Sequence, residues 1–306
     1  MVVAATGFFD GVHAGHRAVL QVLKDTAREE GEESAVITFW PHPRNVLQQD
    51  ASTFRLLNTL EEKKALIRDF GIDRFHVIPF TRDFSRLDTA GFMKEYLVDR
   101  FHVDTLIIGY DHRLGRSSTA SREELAAIAS TVGLRTRIVE EVHCDERKVS
   151  STQIRNLLSA GDVVTAAQML GYRYSLLGVV VSGNMLGRTM GFPTANMQLY
   201  EPLKMVPADG VYAVSVDVLG QRHGGICNIG TRPTVSEGNA RTIETNIFDF
   251  NENIYGLDIR IEFVARIRDE HRFASLDDLS GQMCLDAAAA AEIISESERH
   301  ADTCKI

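Results

Sequence analysis

Along the first half of the chain, apolar residues switch repeatedly between strand-like and helical spacing. Val2–Ala5 is a short apolar run, and between Gly15 and Glu30 apolar residues return at helical intervals, at Ala18, Val19, Val22, Leu23 and Ala27. Ala35–Phe39 then predicts a strand, Leu60–Phe70 a helix, Arg74–Ile78 a strand, Ala90–Phe101 a helix and Thr105–Ile108 a strand. Glu123–Val132 predicts a further helix and Thr136–Val139 a further strand. Alternation of this kind argues for an α/β domain with a parallel sheet and helices on both faces. Ligands of such sheets bind at the carboxyl ends of the strands. Ser150–Leu170 reads as two short helices joined at Gly161–Asp162.

After about residue 171 the pattern changes. Leu176–Val181, Gly210–Leu219, Gly224–Ile229, Thr242–Phe250 and Leu257–Ile267 are strand-like runs separated by Gly or Asn turns, and one helical stretch remains, Ser275–Ser295. A mostly antiparallel β-barrel with a C-terminal helix is expected. The expected domains are therefore residues 1–170 and 171–306.

At 306 residues the chain has the length of two ordinary domains, and 44 % apolar with 25 % charged residues excludes intrinsic disorder. A formal charge of −9 argues against a basic track for nucleic acid, and no recognition motif occurs, so no nucleic-acid partner is expected. A polyanion would instead be met by helix N-termini, Gly-rich backbone, a few Arg or His, and Mg²⁺. The cysteines at 144, 227, 284 and 304 form no C-x-x-C pair and read as reduced thiols. The start, MVVAATGFFDG, lacks the marks of a signal peptide, and no stretch approaches the roughly 18 apolar residues of a membrane span. A cytoplasmic protein with no membrane partner is expected. An oligomer is compatible with the sequence and not required by it.

The most unusual local sequence, TGFFDGVHAGH at 6–16, follows the first strand and opens the first helix. His13 and His16 are three apart with Gly15 between them, which at a helix N-terminus puts both imidazoles on one side, near unpaired backbone N–H groups. Such a place favours phosphate. A fortuitous pair or two zinc ligands are the other readings, but no Cys or third His lies at ligand spacing. SSTQIR at 150–155 reads as a capped helix start, with Ser151 or Thr152 able to accept from early N–H groups. Arg155 falls in the first turn, where a cation opposes the helix dipole. Alone it would be a solvated surface residue; beside the His pair it reads as part of a polyphosphate clamp.

TGFFDGVHAGH resembles the H-x-G-H signature of the nucleotidyltransferase superfamily, and its FAD-synthetase branch most closely. The resemblance implies a Rossmann-like fold in which His13 and His16 bind ATP phosphates and stabilise the transition state of adenylyl transfer, with Gly7, Phe9, Asp10 and Gly15 in the phosphate-binding loop. Because a substrate phosphate attacks the α-phosphorus, such chemistry needs positioning and charge neutralisation but no protein nucleophile. SSTQIR is similar to the family's second motif, which implies ATP contacts from Ser151, Thr152 and Arg155. FWPHP at 39–43 resembles F-x-P-H-P of the flavin-side loop and implies a flavin contact from His42; alone, Pro-His-Pro is a rigid turn. GYDHRLG at 109–115 resembles G-x-D-F-x-F-G, with Asp111 as a nucleotide contact and His112 and Leu114 in place of the usual aromatics.

In the second half, SGNMLGRTMGFPTAN at 182–196 carries glycines at 183, 187 and 191, which suit either backbone wrapped around phosphate or β-turns. It is neither a Walker loop nor a dinucleotide fingerprint. Thr194 and Asn196 place hard oxygens two apart, on one side of an extended segment, as Mg²⁺ would want; hydrogen bonding in a turn is the alternative. In TIETNIFDF at 242–250 a period of two puts Glu244, Asn246, Phe248 and Phe250 on one face, so Glu244 is a candidate general base facing a flavin pocket.

This half resembles riboflavin kinase through G-x-x-x-G-R-x-x-G-F-P-T-A-N at 183–196, followed in order by Gly210–Tyr212, NIGTRPT at 228–234 and E-T-x-I-F-D-F at 244–250. The resemblance implies a six-stranded barrel and ATP at the Gly183, Gly187 and Gly191 loop. It further implies Mg²⁺ at Thr194 and Asn196, and Glu244 as base on the ribityl 5′-hydroxyl. Asn246 stands where the family usually has His. RDEHRF at 268–273 is similar to the link that closes over the flavin and implies a role for Arg268. Both resemblances together follow the order of bacterial bifunctional riboflavin kinase/FAD synthetases, which implies ATP, riboflavin and FMN as small-molecule substrates. A nucleotidyltransferase acting on another precursor is disfavoured by the kinase-like half, and a flavin-binding regulator without activity is the remaining alternative.

Overall fold

A computed structural model describes residues 1–47, 54–110, 121–141, 143–144, 147–183, 192–232, 240–271 and 273–303. β1 (Val2–Thr6), β2 (Glu33–Trp40), β3 (Arg74–Pro79), β4 (Val103–Ile108) and β5 (Arg135–Ile138) form a parallel sheet in the order β3-β2-β1-β4-β5. β1 is buried along its whole length because helices cover both faces. Its alternating side chains feed two cores. Val3 and Ala5 pack with Leu20 and Leu23 of α1 (Ala14–Glu30). Ala4 packs with Met93, Leu97, Leu125 and Ala129 on the other face. The chain runs outward from β1 to β3 on one side, then returns to β4 on the other, so the crevice of this sheet lies at the carboxyl end of β1.

The other helices of this part are α2 (Pro43–Leu47), α3 (Leu60–Asp69), α4 (Thr89–Phe92) and α5 (Arg122–Thr131). α3 and α5 each begin with a reciprocal capping box, Thr59 with Glu62 and Ser121 with Glu124. The helix expected over Ala90–Phe101 is α4 continued by a π-helical stretch, Met93–Arg100, with the Phe101 N–H reaching the Tyr96 carbonyl at 3.0 Å. Apolar spacing does not distinguish that winding from an α-helix. A hairpin, β6 (His143–Cys144) and β7 (Arg147–Lys148), precedes α6 (Ser151–Ala160) and α7 (Val163–Leu170). Those two helices meet at Gly161, whose φ of +81° favours glycine, and Asp162 caps the second by accepting from Thr165 N at 2.9 Å.

β8 (Ser175–Val181), β9 (Thr194–Leu199), β10 (Gly210–Val218), β11 (Gln221–Arg232), β12 (Ala240–Ile247) and β13 (Asp258–Arg268) close into a barrel in the order β10-β11-β12-β9-β8-β13. Thr245 and Cys227 are paired in register and fully buried, and Tyr212 and Phe263 fill the barrel with an edge-on contact at 5.2 Å. α8 (Leu276–Thr303) covers the outer face: Ala290 and Ile294 pack on Ala213, Ile226 and Phe248. Gly224 permits that approach, since a Cβ there would lie 3.1 Å from the Phe248 ring and 3.2 Å from Ile294. β9 is absent from the expected strand-like runs, because its outward residues Thr194, Asn196 and Gln198 are polar. The strand expected over Thr242–Phe250 stops at Ile247, and Asp249 turns the chain with φ +52°.

Compactness groups Met1–Ser151 in one unit and Thr152–Ile306 in the other. Among the described residues Cys227 and Cys284 are free thiols.

Candidate functional site

The loop leaving β1 is held in an uncommon backbone shape. Phe9 and Val12 have φ of +47° and +36°, conformations that cost of order 1–3 kcal/mol each in a non-glycine residue. Asp10, itself buried, anchors the loop: Oδ1 accepts from the backbone N–H of Leu57 at 3.0 Å and of Asn58 at 3.2 Å. Its backbone carbonyl accepts from the Ser151 hydroxyl at 2.8 Å, which joins the TGFFDGVHAGH loop to the start of SSTQIR.

The loop delivers His13 to the N-cap of α1, where Nδ1 accepts the His16 backbone N–H at 3.4 Å. In the neutral ring the proton therefore sits on Nε2, which is left as a donor. The two imidazoles stack with centroids 3.7 Å apart. Gly15 makes that possible, because a Cβ there would touch the His13 ring at 3.3 Å. Burial, then His13, then Lys63 hold the His16 pKa well below the usual histidine range, and its Nδ1 is buried without a hydrogen-bond partner among the described residues. A neutral imidazole with an unsatisfied buried nitrogen, beside a helix N-terminus, is chemistry that fits a phosphate chain.

His42 leads into α2, stacked on Phe54 at 4.4 Å and tilted against Phe8 at 5.0 Å, with Nδ1 accepting the Arg44 N–H. Phe8 in turn continues into Phe39 and Phe80. These rings form an aromatic cluster whose planes are tilted to one another by 27° to 69°, an apolar wall against which a heterocycle could pack. Gly7 and Phe9 belong to the same loop, and a Cβ on Gly7 would lie 3.3 Å from the Phe9 ring. Thr152 lies in the first turn of α6, whereas Arg155, expected there from the sequence, is the fifth residue of the helix and opens its second turn, because the helix begins at Ser151. Asp111, with His112 and Leu114, lies outside the described residues.

In the barrel, strand register does the assembling. Asn196 of β9 and Asn228 of β11 lie directly across from Glu244 on either side, and Thr194 lies across from Asn246. Side chains directly opposite in an antiparallel pair share a face, so Thr194, Asn196, Asn228, Glu244 and Asn246 form one polar patch on the outer face. Asn246 is buried, and its Nδ2 donates to the Pro193 carbonyl at 2.8 Å. Gly183 lies against this patch, where a Cβ would collide with the Asn196 amide. Two neutral oxygen donors with one carboxylate nearby suit Mg²⁺, which takes few protein ligands and completes its shell with water and phosphate. Gly187 and Gly191 lie outside the described residues.

Next to the patch is a cleft of about 570 Å³, lined by Phe192, Asn246, Phe248, Phe250, Ala287 and Ala291 among others. That volume is ordinary for a small-molecule site. Phe248 and Phe250 thus border a cavity next to Asn246 although they lie beyond the end of β12. Arg268 ends β13, and its guanidinium is committed to the buried Asp286 of α8, with Nη2–Oδ2 at 2.7 Å and Nε–Oδ1 at 3.0 Å. Gln282 donates to the same carboxylate at 2.9 Å, so this network fastens the link and α8 to the barrel. Sequence reasoning missed Lys63, which is buried beside Asp10 and His16. The signal was present: with Leu60 and Ile67, Lys63 lies on the apolar stripe of a helix, where a charge needs a reason.

Comparison with known proteins agrees with both halves. A family model described as FAD synthetase matches residues 1–153, and one described as riboflavin kinase matches residues 170–294. The bifunctional riboflavin kinase/FMN adenylyltransferase of Bacillus subtilis is 37 % identical over 284 residues, covering 92 % of this chain and 89 % of its own. That of Escherichia coli K12 is 36 % identical over 295 residues, covering 95 % and 92 %. A crystal structure from Streptococcus pneumoniae named as a macrolide-efflux protein superimposes with a TM-score of 0.87 at 30 % identity, covering 95 % of this chain and 93 % of its own. Among the described residues of this chain no helix is long and apolar enough to cross a membrane.

Proposed function

The chain belongs to the bifunctional riboflavin kinase/FMN adenylyltransferase family, and on that premise we propose how it makes FAD from riboflavin in two ATP-dependent steps. The division we assign is phosphorylation to residues 171–306 and adenylylation to residues 1–170. The observation that supports it is the presence, in one chain, of the stacked pair His13–His16 and the cross-strand pair Glu244–Asn196.

In the barrel, the riboflavin 5′-hydroxyl attacks the γ-phosphorus of ATP, the bond to the bridging oxygen breaks, and ADP leaves with FMN formed. Glu244 takes the hydroxyl proton, and Asn246 and the adjoining cleft hold the flavin. Arg268 acts through the Asp286 network that keeps α8 over the barrel. In the first unit, an FMN phosphate oxygen attacks the α-phosphorus of a second ATP, and pyrophosphate leaves. His13 donates from Nε2 to phosphate oxygen, neutral His16 supplies a second polar contact, and the aromatic cluster around His42 receives the isoalloxazine. Arg155, Ser151, Thr152 and Asp111 are assigned to ATP on their motifs, as are Gly187 and Gly191. Mg²⁺, when bound, offsets phosphate charge in both reactions, and Thr194 and Asn196 would hold it in the barrel. We place the protein in the cytoplasm, where its substrates are met.

Labelled ATP separates the two steps. Riboflavin with γ-labelled ATP should give labelled FMN, and FMN with α-labelled ATP should give labelled FAD; failure of either transfer removes the activity assigned to that half. The patch itself is tested by Gly183→Ala. The added methyl displaces Asn196, so riboflavin phosphorylation should fall about tenfold or more while FAD formation from FMN is unchanged. Parent-level phosphorylation would show that the position of Asn196 is immaterial.

A further inference from the structure

Asp286 lies in α8, outside every motif that carries the family resemblance, yet it is only 3 % exposed. Taking a carboxylate out of water costs several kcal/mol unless an opposite charge and hydrogen bonds meet it. Here they do. Arg268 donates to it side-on, with Nη2–Oδ2 at 2.7 Å and Nε–Oδ1 at 3.0 Å, and Gln282 Nε2 donates to Oδ1 at 2.9 Å. A two-pronged pair of this kind fixes direction as well as distance.

The pair joins two structures that border the phosphorylation site. On the helix side, the next residue, Ala287, and Ala291 one turn later line the cleft opposite Phe248 and Phe250. Alanine methyls offer a flavin no directional contact, so the fit of the cleft depends on where the α8 backbone stands. Ala290 and Ile294 press α8 onto Ala213 and Ile226, but apolar packing is non-directional and leaves the helix free to slide or turn. On the other side, Arg268 Nη1 donates to the Asp269 carbonyl at 2.9 Å and to His271 Nδ1 at 3.3 Å, and the guanidinium lies 5.6 Å over the Phe273 ring. Glu270, between two residues held in this way, fills the space above Gly230, where a Cβ would lie 2.0 Å from its Oε1. Gly230 is two residues beyond Asn228 and on the same face of β11, so the link is seated at the edge of the patch that contains Glu244.

We propose that Asp286 is a positioning residue of the phosphorylation site: through Arg268 it holds the α8 wall and the link in register around the flavin cleft, and so sets the affinity for riboflavin. The inference rests on the reading of the barrel as the site that phosphorylates riboflavin. Asp286 touches no substrate and moves no proton.

Asp286→Asn in the full chain keeps the shape and removes the charge. The KM for riboflavin should rise about tenfold, less than the 100-fold that misplacing reacting groups by about 1 Å can cost. The kcat should stay within about threefold, the pattern of lost uniform binding. The KM for ATP and the conversion of supplied FMN to FAD should be unchanged. Arg268→Met should raise the KM for riboflavin by the same factor, since either change breaks one pair. A loss in Arg268→Met with parent affinity in Asp286→Asn would make Arg268 a flavin ligand and overturn the positioning role. Arg268→Met combined with Asp286→Leu replaces the buried pair by apolar side chains, which restores stability. Its KM should nevertheless stay raised, because the Asp269 carbonyl and His271 have lost their donor. Recovery of the parent KM in that double variant would reduce the pair to a stabilising contact and overturn the proposal. A parent chain that does not phosphorylate riboflavin overturns both the proposal and the reading of the barrel.

Discussion

Riboflavin phosphorylation by a Glu244→Gln chain is expected to fall by about two to four decades, the contribution of a positioned general base, while supplied FMN is still converted to FAD at the parent rate. Glutamine keeps the length and hydrogen-bonding reach of the side chain, so the barrel loses a base and little else. The carboxylate lies across from Asn196 and Asn228, two neutral amides, on the outer face of the barrel rather than in its core. The cleft is lined by Asn246, two residues further along the same face of β12. A single-turnover measurement of FMN formation checks this, and near-normal turnover would take Glu244 out of the role.

The reciprocal result is expected at the other site. His13→Ala or His16→Ala should lower FAD formation from FMN by about 100- to 1000-fold, the loss that follows removal of one preorganised donor to developing charge. Riboflavin should still become FMN, which then accumulates. The two substitutions should not add, because the rings stack at 3.7 Å and each orients the other. His16 is kept neutral by burial and by its neighbours, so its contribution is a polar contact rather than a charge. Chromatography of the flavins formed by each variant checks this; equal loss of both steps would refute independent sites.

Much of this arrangement was legible in the sequence because short-range physics dictates it. Two histidines three apart at a helix start already place both imidazoles on one side, and the structure stacks them there, with the His13 ring against Gly15. The two β-textures, apolar runs in the first half and separated short runs in the second, correctly pointed to a parallel sheet and a barrel. What escaped depends on partners distant in sequence. β9 escaped because its outward residues serve the polar patch instead of a core, so they broke the apolar pattern that marks a strand. Lys63 escaped because its burial comes from chain outside its own helix, such as Trp40, more than twenty residues earlier. The end of β12 at Ile247, and with it the turning of Phe248 and Phe250 toward the cleft, follows from a left-handed residue at Asp249 that composition does not announce.

If one chain carries two sites acting in series on flavin, a single time course of flavin chromatography with riboflavin, ATP and Mg²⁺ will reveal both, run on the parent, His13→Ala and Glu244→Gln chains. The parent should show FMN rising first and FAD following, His13→Ala should stop at FMN, and Glu244→Gln should make FAD only when FMN is supplied. Loss of both products in either variant, or FAD from a parent reaction in which FMN is neither formed nor accepted as substrate, would contradict two sites in series.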